Sequence, residues 1–425
     1  MTTMVPKPKL IFVPHYIGSL LYFEKLLPFL VSRYEVRFLI LFIHQGTYRE
    51  MLDYCRQRNL AYDFLTPPKS ADNSKKTNFP VFSLIRDLIL YKKQIRVLLN
   101  DKQIKEIISV NDGGIYVGYL MTEANKRGID TAVLQWALAY ADEEQRKMPK
   151  KIVVFWRSVL YCLAKPVYIF FKKLAVLLIL GIYQNKSVLG GGTAKRFGVI
   201  NQQAFEFFKK QGVPEEKMTV VGYLDFHLAE KTKKDFDDNK QTFLKKALEY
   251  NINLSKKNII VFSSPFYIKD IKIITAEEQV RYYKKLIEKI REICPLEKYD
   301  ILFKIHPIED LNTYKSLENI GIKIFDKNAD NHALIYLSDL YIADSTTTNF
   351  IPITMGKKAI FINFYKLLLV ESSKYCFGIK KFATDEKEFN RLLKLYHDRR
   401  LPVQYEKDEE IITPDSLTKI IEWIS

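Results

Sequence analysis

Short apolar runs alternate along this chain with longer segments of mixed polarity, and most of the runs end in polar or turn-forming residues. In the first half the apolar runs are Leu10–Val13, Val36–Ile43, Ile104–Ser109, Thr131–Gln135 and Thr219–Gly222. In the second half they are Asn258–Phe262, Ile301–Ile305, Leu340–Ala343 and Lys358–Asn363. Buried strands that alternate with helices are typical of parallel sheets. The pattern therefore predicts an α/β protein with two doubly wound, Rossmann-like units.

Length and local signals place these two units on the chain. With 425 residues the chain is long enough for two α/β domains with full cores. A charged, helix-forming run from Glu230 to Lys257 separates the two sets of strands, so we predict one domain over residues 1–228 and a second over 229–425. Thr413-Pro414-Asp415 is a typical helix start and predicts a closing helix over residues 414–424.

Charge and cysteine content narrow the class of protein. The net charge of +17 favours a polyanionic partner, such as a nucleic acid, an anionic membrane or a phosphorylated substrate, although a solvated lysine surface would give the same value. The four cysteines are scattered without CxxC spacing, which argues against a zinc site or a disulfide framework and suits a reducing cytosol. Met1–Lys9 lacks the apolar core of a signal peptide.

Residues 150–186 form an unusual segment inside the predicted first domain. It is rich in aromatic and aliphatic residues, and no acidic residue occurs between Lys147 and Asn201. Its uncharged runs are shorter than the roughly 20 residues that a spanning helix needs. We therefore predict an insertion that lies in the membrane interface; the alternative is a helical hairpin packed on its own domain. The predicted interface residues are Trp156, Arg157, Lys165, Lys172 and Lys173.

Three short motifs occur in order along the chain. They are Val221–Asp225, Lys304–Pro307 and Asp344–Thr347. The set resembles the GT-B glycosyltransferase superfamily, near the capsule and surface-polysaccharide transferases and the CDP-glycerol glycerophosphotransferases with K-x-H-P and D-S-S/T motifs. The resemblance implies two Rossmann-like domains that face each other across a cleft, with the acceptor bound by the first domain and the nucleotide donor by the second.

The resemblance also implies a donor site at the strand ends of the second domain. His306 would donate to a donor phosphate or assist the leaving group, and the hydroxyls after the strand at 340–343 would bind phosphate. The family often has a glutamate a few residues later to hold the ribose, whereas Asn349 and Phe350 stand here, so the nucleotide stays open. The implied donor-binding residues are Ser263, Ser264, Lys304, His306, Ser345, Thr346 and Thr347.

The first domain should supply the acceptor site and a general base, because a sugar hydroxyl loses its proton as it attacks an anomeric carbon. Asp112, at a tight corner before Gly113-Gly114, is the preferred base, and His15 is the second candidate. Asp142 and Glu143 are further candidates for the general base. Gly18 and Gln135 are predicted to line the acceptor site; many relatives have Gln-His-Gly where this chain has Gln-Trp-Ala from position 135.

No metal or cofactor is expected, and the nucleotide-sugar is a substrate. The D-x-D match Asp235-Phe236-Asp237 lies in a charged run that is typical of a solvated helix. The chain has neither G-x-x-x-x-G-K-[ST] nor G-x-G-x-x-G, which argues against a P-loop NTPase or a dehydrogenase. The resemblance implies an inverting, metal-independent enzyme.

The predicted function is that of a glycosyltransferase that builds a surface polysaccharide. Its expected partners are a nucleotide-activated sugar, a glycan or lipid-linked acceptor and an anionic membrane surface, and its expected location is the cytoplasm, peripheral on the inner face of the cell membrane. A CDP-glycerol-type phosphotransferase and a non-hydrolysing sugar-nucleotide epimerase are the alternatives. A nucleic-acid-binding protein is disfavoured because the sequence has no recognisable motif of that class.

Overall fold

Two all-parallel β-sheets organise the protein. The structure, a computed structural model, describes residues 6–41, 47–65, 80–136, 170, 173–182, 189–267, 274–344, 346–365, 378–405 and 411–424. The strands are β1 (Lys9–Val13), β2 (Glu35–Ile40), β3 (Tyr62–Phe64), β4 (Ile104–Ser109), β5 (Asp130–Leu134), β6 (Arg196–Val199), β7 (Met218–Val220), β8 (Lys257–Phe262), β9 (Tyr299–Lys304), β10 (Lys323–Phe325), β11 (Leu340–Ala343) and β12 (Ala359–Phe361).

The strand order reverses once in each sheet. The first sheet has the order β3-β2-β1-β4-β5-β6-β7, and the second has the order β10-β9-β8-β11-β12. Every neighbouring pair in both sheets is parallel. The order reverses between β1 and β4 in the first sheet and between β8 and β11 in the second. Doubly wound sheets bind their ligands beyond the carboxyl ends of the strands at this point.

Helices connect the strands and cover the sheets. They are α1 (Ile17–Glu24), α2 (Leu27–Leu30), α3 (Thr47–Gln57), α4 (Pro80–Leu98), α5 (Ile115–Lys126), α6 (173–180), α7 (Gln202–Lys210), α8 (Leu224–Asp238), α9 (Lys240–Glu249), α10 (Ala276–Ile293), α11 (Asn331–Tyr336), α12 (Phe350–Met355), α13 (Glu386–His397) and α14 (Ser416–Trp423). Short 3₁₀ segments lie at Glu215–Lys217, Leu311–Ile320 and Thr347–Asn349.

Alternate residues of each strand enter different cores. In β1, Leu10 and Phe12 join a large core that extends to the second sheet, whereas Ile11 and Val13 join a core beneath α4, α5 and α6. A third core lies between β8, β9, α10 and α13. Both faces of the strands are therefore covered, as expected for parallel sheets.

The closing helix packs on the first sheet although it follows the second. The side chain of Asn201 donates to the carbonyl of Ile411 at 2.8 Å, and the Thr413 hydroxyl donates to the carbonyl of Ile200 at 2.9 Å. The Arg196 guanidinium stacks on the ring of Trp423 at 4.8 Å. A closing helix was predicted over 414–424; α14 begins two residues later, after Asp415, and ends at Trp423. Its contacts tie the end of the chain to the first half.

The nine predicted strands are all present, but three short ones, β3, β6 and β10, were not predicted. The charged run after residue 230 is two helices, because Asn239 breaks it and accepts from the N–H groups of Gln241 and Thr242. The predicted division at 228/229 lies within α8, the helix that follows β7, and it stays a prediction.

Little of the predicted membrane insertion lies within the described residues. Trp156, Arg157, Lys165 and Lys172 fall outside them, whereas Lys173 begins the described part of α6. Among the described residues, no helix combines the length and the apolar character needed to cross a membrane.

Candidate functional site

The ends of β8 and β9 are joined by a buried carboxylate, Glu309. The Ser263 hydroxyl donates to Glu309, and so do the Gln279 amide and the Tyr314 hydroxyl. The backbone N–H of His306 donates to the Ser263 hydroxyl at 2.7 Å and to Glu309 at 3.0 Å. Burial raises the pKa of Glu309, and these donors oppose the shift. Glu309 therefore fixes the backbone at the corner where His306 leaves the sheet.

The hydrogen bonds of His306 determine which ring nitrogen carries the proton. Its Nδ1 accepts from the backbone N–H of Ile308 at 3.3 Å, so the neutral ring carries its proton on Nε2. Burial, together with the nearby Lys304 charge, lowers the pKa of His306 to about 4. At neutral pH, His306 is thus a neutral hydrogen-bond donor through Nε2.

Lys304 is a buried cation two residues before this histidine. Its side chain is almost fully covered, and Nζ donates to the carbonyl of Ile305 at 3.2 Å. Burial lowers the pKa of Lys304 to about 8. The nearby carboxyl groups of Asp326 and Glu309 oppose this shift. A buried ammonium is a strong local attraction for an anion.

Asp344 follows β11, which lies on the other side of the reversal point from β8. The side chain is fully buried, and neither carboxylate oxygen has a hydrogen-bond partner among the described residues. Burial raises its pKa well above the usual range, and the Ser264 side chain opposes this shift only in part. Burial therefore favours the neutral form of Asp344, and a ligand that hydrogen-bonds to this carboxyl group would relieve a buried polar group.

The hydroxyl-rich turn after Asp344 is held by its own hydrogen bonds. The amide of Asn349 donates to the carbonyl of Asp344 at 3.0 Å, and the Tyr341 hydroxyl donates to Asn349 at 2.9 Å. Thr346 caps the following turn through its hydroxyl. Ser345 lies outside the described residues. Of the predicted donor residues, the structure brings Ser263, Lys304 and His306 together at one end of this edge and Ser264 toward Asp344 at the other.

His15 lies at the reversal point of the first sheet. It follows β1, and its Nε2 lies 3.2 Å from the hydroxyl of Ser109, the last residue of β4. The same hydroxyl lies 2.8 Å from the carbonyl of Asn111, to which it donates. A histidine at this edge of the first sheet is of the residue type that a general base requires.

Asp112 has a different environment from the one expected of a base. It is buried, and its two carboxylate oxygens accept from the backbone N–H groups of Gly190 at 3.1 Å and Ala194 at 3.3 Å. A Cβ at Gly192 would lie 2.7 Å from the Asp112 carboxylate. Burial raises the pKa of Asp112. The geometry makes Asp112 an anchor for residues 190–194, and its predicted role as the base stays a prediction.

The two predicted acceptor residues lie along the same edge. The Gln135 side chain is fully buried, and its Oε1 accepts from the backbone N–H of Ile200 at 3.1 Å, which links the ends of β5 and β6. A Cβ at Gly18 would lie 3.1 Å from the ring of Trp136. Gly18 therefore allows Trp136 to pack against the start of α1.

Tyr223 connects the edges of the two sheets. Its hydroxyl donates to the carbonyl of Trp136 at 3.1 Å, and its ring packs against Tyr22 at 5.5 Å and Phe350 at 5.0 Å. Thr347, in the hydroxyl-rich turn, interacts with the same phenol. Because Trp136 contacts Gly18 and Thr347 follows Thr346, this one side chain brings the two predicted subsites next to each other.

An ion-pair cluster holds the two halves together beside Tyr223. Asp225 accepts from Lys25 Nζ at 3.0 Å and lies 3.5 Å from His332 Nε2. His332 Nδ1 lies 3.4 Å from Asp330. Burial alone would lower the pKa of His332, but the two carboxylates raise it above its usual value.

Sequence reasoning missed Glu309, Tyr223 and Ser109. Glu309 follows His306 by three residues, a spacing that suits a turn closed by a carboxylate, and this was the available signal. Tyr223 lies within a recognised motif, but its contacts come from distant parts of the chain. Asp237, from the D-x-D match, accepts from Lys233 at 2.9 Å on the surface of α8. Within the described ranges, no group of three His, Cys, Asp or Glu side chains is arranged to hold a metal.

Comparisons with known proteins identify the fold. No family model matches the sequence, and no curated protein matches it. The solved UDP-GlcNAc 2-epimerase of Neisseria meningitidis bound to UDP-GlcNAc is similar, with a TM-score of 0.57 at 10% identity over 98% of this chain and 99% of that chain.

Two further solved structures are similar to this chain over nearly its whole length. The UDP-GlcNAc 2-epimerase of Methanocaldococcus jannaschii has a TM-score of 0.55 at 13% identity over 98% of this chain and 99% of that chain. The S. aureus MnaA–UDP structure has a TM-score of 0.56 at 12% identity over 98% of this chain and 96% of that chain. At these identities the likeness establishes the fold alone. The predicted architecture of two doubly wound units in a GT-B arrangement is confirmed.

Proposed function

We propose that this protein is a glycosyltransferase that moves a sugar from a nucleotide-activated donor to a glycan or lipid-linked acceptor. The observation that supports this most is the contact through Tyr223. Through this contact the hydroxyl-rich turn of the second half, which contains Thr347, lies beside the edge of the first half that contains Trp136, and we assign the donor and the acceptor to these two edges. A group-transfer enzyme needs two such adjacent subsites.

In the proposal, the second half binds the donor and stabilises the leaving group. Nε2–H of His306 donates to the phosphate oxygen that gains charge as the glycosidic C–O bond breaks, and the Lys304 ammonium adds a nearby positive charge. Glu309 and Ser263 hold the backbone of His306, so the donor is oriented before the reaction. One such donor is typically worth about 3 kcal/mol in the transition state.

The first half supplies the base in the proposal. The acceptor hydroxyl attacks the anomeric carbon, its proton passes to the imidazole of His15, and the bonding electron pair leaves with the nucleotide phosphate. His15 is preferred to Asp112 here, since both carboxylate oxygens of Asp112 accept from backbone N–H groups. Attack from the face opposite the leaving group makes the reaction inverting, and we propose no metal in it.

A sugar-nucleotide epimerase is the second candidate, because solved proteins with this fold are UDP-GlcNAc 2-epimerases. Epimerisation removes a proton from carbon and returns one to the opposite face, so it needs acid–base groups on both sides of the sugar. Transfer to a hydroxyl needs one base. Among the described edge residues, His15 and Asp112 are the candidates on the first sheet, and Asp112 is engaged by the 190–194 segment.

Nucleotide binding is the first test of the proposal. A thermal-shift screen with UDP, CMP, CDP and GDP should find one that raises the melting temperature; a ligand at a hundred times its Kd adds about 2.7 kcal/mol. His306→Ala should abolish that shift without unfolding the protein. His397→Ala is the matched control, because His397 lies near Tyr299 at the opposite end of the second sheet. A full shift in His306→Ala would contradict the assigned donor site.

The product distinguishes the two candidate reactions. The sugar-nucleotide that carries the binding nucleotide is incubated in D₂O without an acceptor, and the sugar is examined by NMR. An epimerase incorporates deuterium at carbon and changes the sugar, whereas a transferase leaves the carbon-bound protons in place and releases nucleotide only when an acceptor is added. Solvent deuterium in the sugar would reject the transferase proposal in favour of the epimerase.

A further inference from the structure

Helices α4 and α6 lie side by side on the first half and bury one face each. Leu88 and Ile95 of α4 and Val176 and Leu180 of α6 belong to the same core. The Lys92 side chain of α4 also donates to the carbonyl of Ile179. The two helices therefore form one layer with a shared outer surface.

That outer surface is apolar and basic. On α4 the exposed positions follow three- and four-residue spacing, which places them on one helix face. Ile89 is 55% exposed and Val97 is 65% exposed, and Leu178 on α6 is 73% exposed. The exposed apolar residues are Ile89, Leu90, Val97, Leu174, Leu177 and Leu178. The exposed cations between them are Arg86, Lys93, Arg96 and Lys173.

Acidic side chains are missing from this surface. Within the described parts of α4 and α6, the one acidic residue is Asp87, and it is buried. A soluble surface normally mixes both charge signs and keeps large aliphatic side chains scattered. Large apolar side chains with cations between them, on helices that lie flat on the protein, match the anionic interface of a lipid bilayer.

We propose that this α4–α6 face docks on an anionic phospholipid surface, and that the acceptor of the transferase is carried by a membrane lipid. The first part stands on the surface itself. The second part rests on the proposed function, because it names the acceptor of that reaction. Of the predicted interface segment 150–186, α6 lies within the described residues, and the structure adds α4, which the sequence did not single out.

The position of the face relative to the first sheet supports the choice of acceptor. The Tyr91 hydroxyl of α4 donates to the carbonyl of Tyr116 at 2.7 Å, in the first turn of α5. The side chain of Ile182, just after α6, lies 4.0 Å from the position that a Cβ on Gly118 would occupy. Both contacts lie within six residues of Asp112, at the carboxyl edge of the sheet. Docking therefore brings the proposed acceptor edge close to the lipid headgroups.

Vesicle flotation with the full chain tests the docking. The vesicles are phosphatidylcholine alone, or phosphatidylcholine with roughly one third phosphatidylglycerol, at low and high salt. Leu177→Gln with Leu178→Gln removes apolar contact and should lower the partition coefficient at least about tenfold. Lys93→Glu with Lys173→Glu should lower it at least about fivefold per cation on anionic vesicles only.

Leu248→Gln with Val403→Gln is the matched control, since these side chains are 80% and 65% exposed in the second half. All three variants should keep the wild-type melting temperature, because they change exposed side chains. If the wild type stays in the soluble fraction on anionic vesicles, or if the face variants float as the wild type does, the docking proposal is wrong. A change of oligomeric state in the face variants would also overturn it, because the face would then be a subunit contact.

The nucleotide screen separates this proposal from the proposed function. Flotation that depends on the α4–α6 face, together with no response to any nucleotide, would support the docking and reject the transferase. A nucleotide response that depends on His306, together with no flotation, would support the transferase donor site and reject the membrane face.

Discussion

The role of Asp112 can be tested directly. Its position in the sequence predicts a general base, whereas its environment in the structure predicts an anchor for residues 190–194. As a base, Asp112→Asn would keep the fold and lose turnover. As an anchor, the same change replaces one carboxylate oxygen with an NH₂ group that faces the N–H of Gly190 or Ala194. One hydrogen bond is then lost and two donors oppose each other in a buried site.

The size of the effect follows from these contacts. A hydrogen bond to a charged acceptor is worth about 1.5–3 kcal/mol, and an unsatisfied buried group costs about 1–3 kcal/mol. We therefore expect Asp112→Asn to lower the free energy of unfolding by roughly 2–5 kcal/mol. Gly192→Ala should act on the same contact from the other side, because its Cβ would lie 2.6 Å from the Asp112 carbonyl oxygen.

The assay combines urea unfolding, followed by circular dichroism, with hydrogen exchange of the 189–194 backbone. Both variants should lose stability and speed exchange at Gly190 and Ala194. Asp53→Asn, at an exposed aspartate paired with Arg56, is the control and should change stability by less than about 0.5 kcal/mol. If Asp112→Asn is as stable as that control and yet inactive, the anchor explanation is refuted and Asp112 is the base.

Two further predictions concern pH. Burial lowers the pKa of Lys304 to about 8, so its charge is lost as the pH rises from about 7 to 9. The affinity for the binding nucleotide, measured by calorimetry, should therefore fall over this pH range. Lys304→Met should bind the nucleotide weakly at every pH and show no such fall. The pKa of His332 is raised in the folded protein, so its contribution to stability is complete below the unfolded value of about 6.5 and is lost as the pH rises through the folded value. In urea unfolding, His332→Gln should therefore have a lower free energy of unfolding than the wild type at pH 6, and the difference should be smaller at pH 8. An equal difference at both pH values would show that the ion pairs with Asp225 and Asp330 do not depend on protonation of His332.

Local sequence pattern predicted much of the fold, because a strand buried on both faces is a continuous apolar run. Ile104–Ser109 and Leu340–Ala343 were predicted with their observed bounds. β3 and β10, with three residues each, are too short to stand out from their surroundings. β6 contains a glycine and begins with an arginine, so it carried no apolar run either. Short edge strands take their structure from the neighbour they pair with, which local sequence does not show.

For the candidate site, the sequence predicted which residues lie at the edge of the sheet but not how they are oriented. Residues that follow a strand lie at the carboxyl edge of a parallel sheet, and Ser263, Lys304 and His306 lie together at this edge in the structure. Their role in donor binding stays a prediction. Their orientation depends on Glu309, Gln279 and Tyr314, whose contacts with the corner come from a turn, a helix and a 3₁₀ segment. The outward face of α4 was missed for a related reason, since its apolar residues look like core until the buried face is known.

Two carboxylates show why position at a strand end does not decide a role. Asp112 and Asp344 both follow a strand at the reversal point of its sheet, and both are buried. The segment that meets Asp112 lies about 80 residues further along the chain and brings two N–H groups to it. Asp344 has no hydrogen-bond partner for its carboxylate oxygens within the described part of the chain, and burial raises its pKa well above the usual range. The same residue type at the same topological position therefore serves as an anchor in one half and leaves an open hydrogen-bonding group in the other. Among the described residues, the half with the open group also has the neutral His306 and the buried Lys304 at the end of β9, two strands away from β11. This asymmetry is the physical reason for assigning the phosphate-bearing donor to the second half and the neutral acceptor to the first.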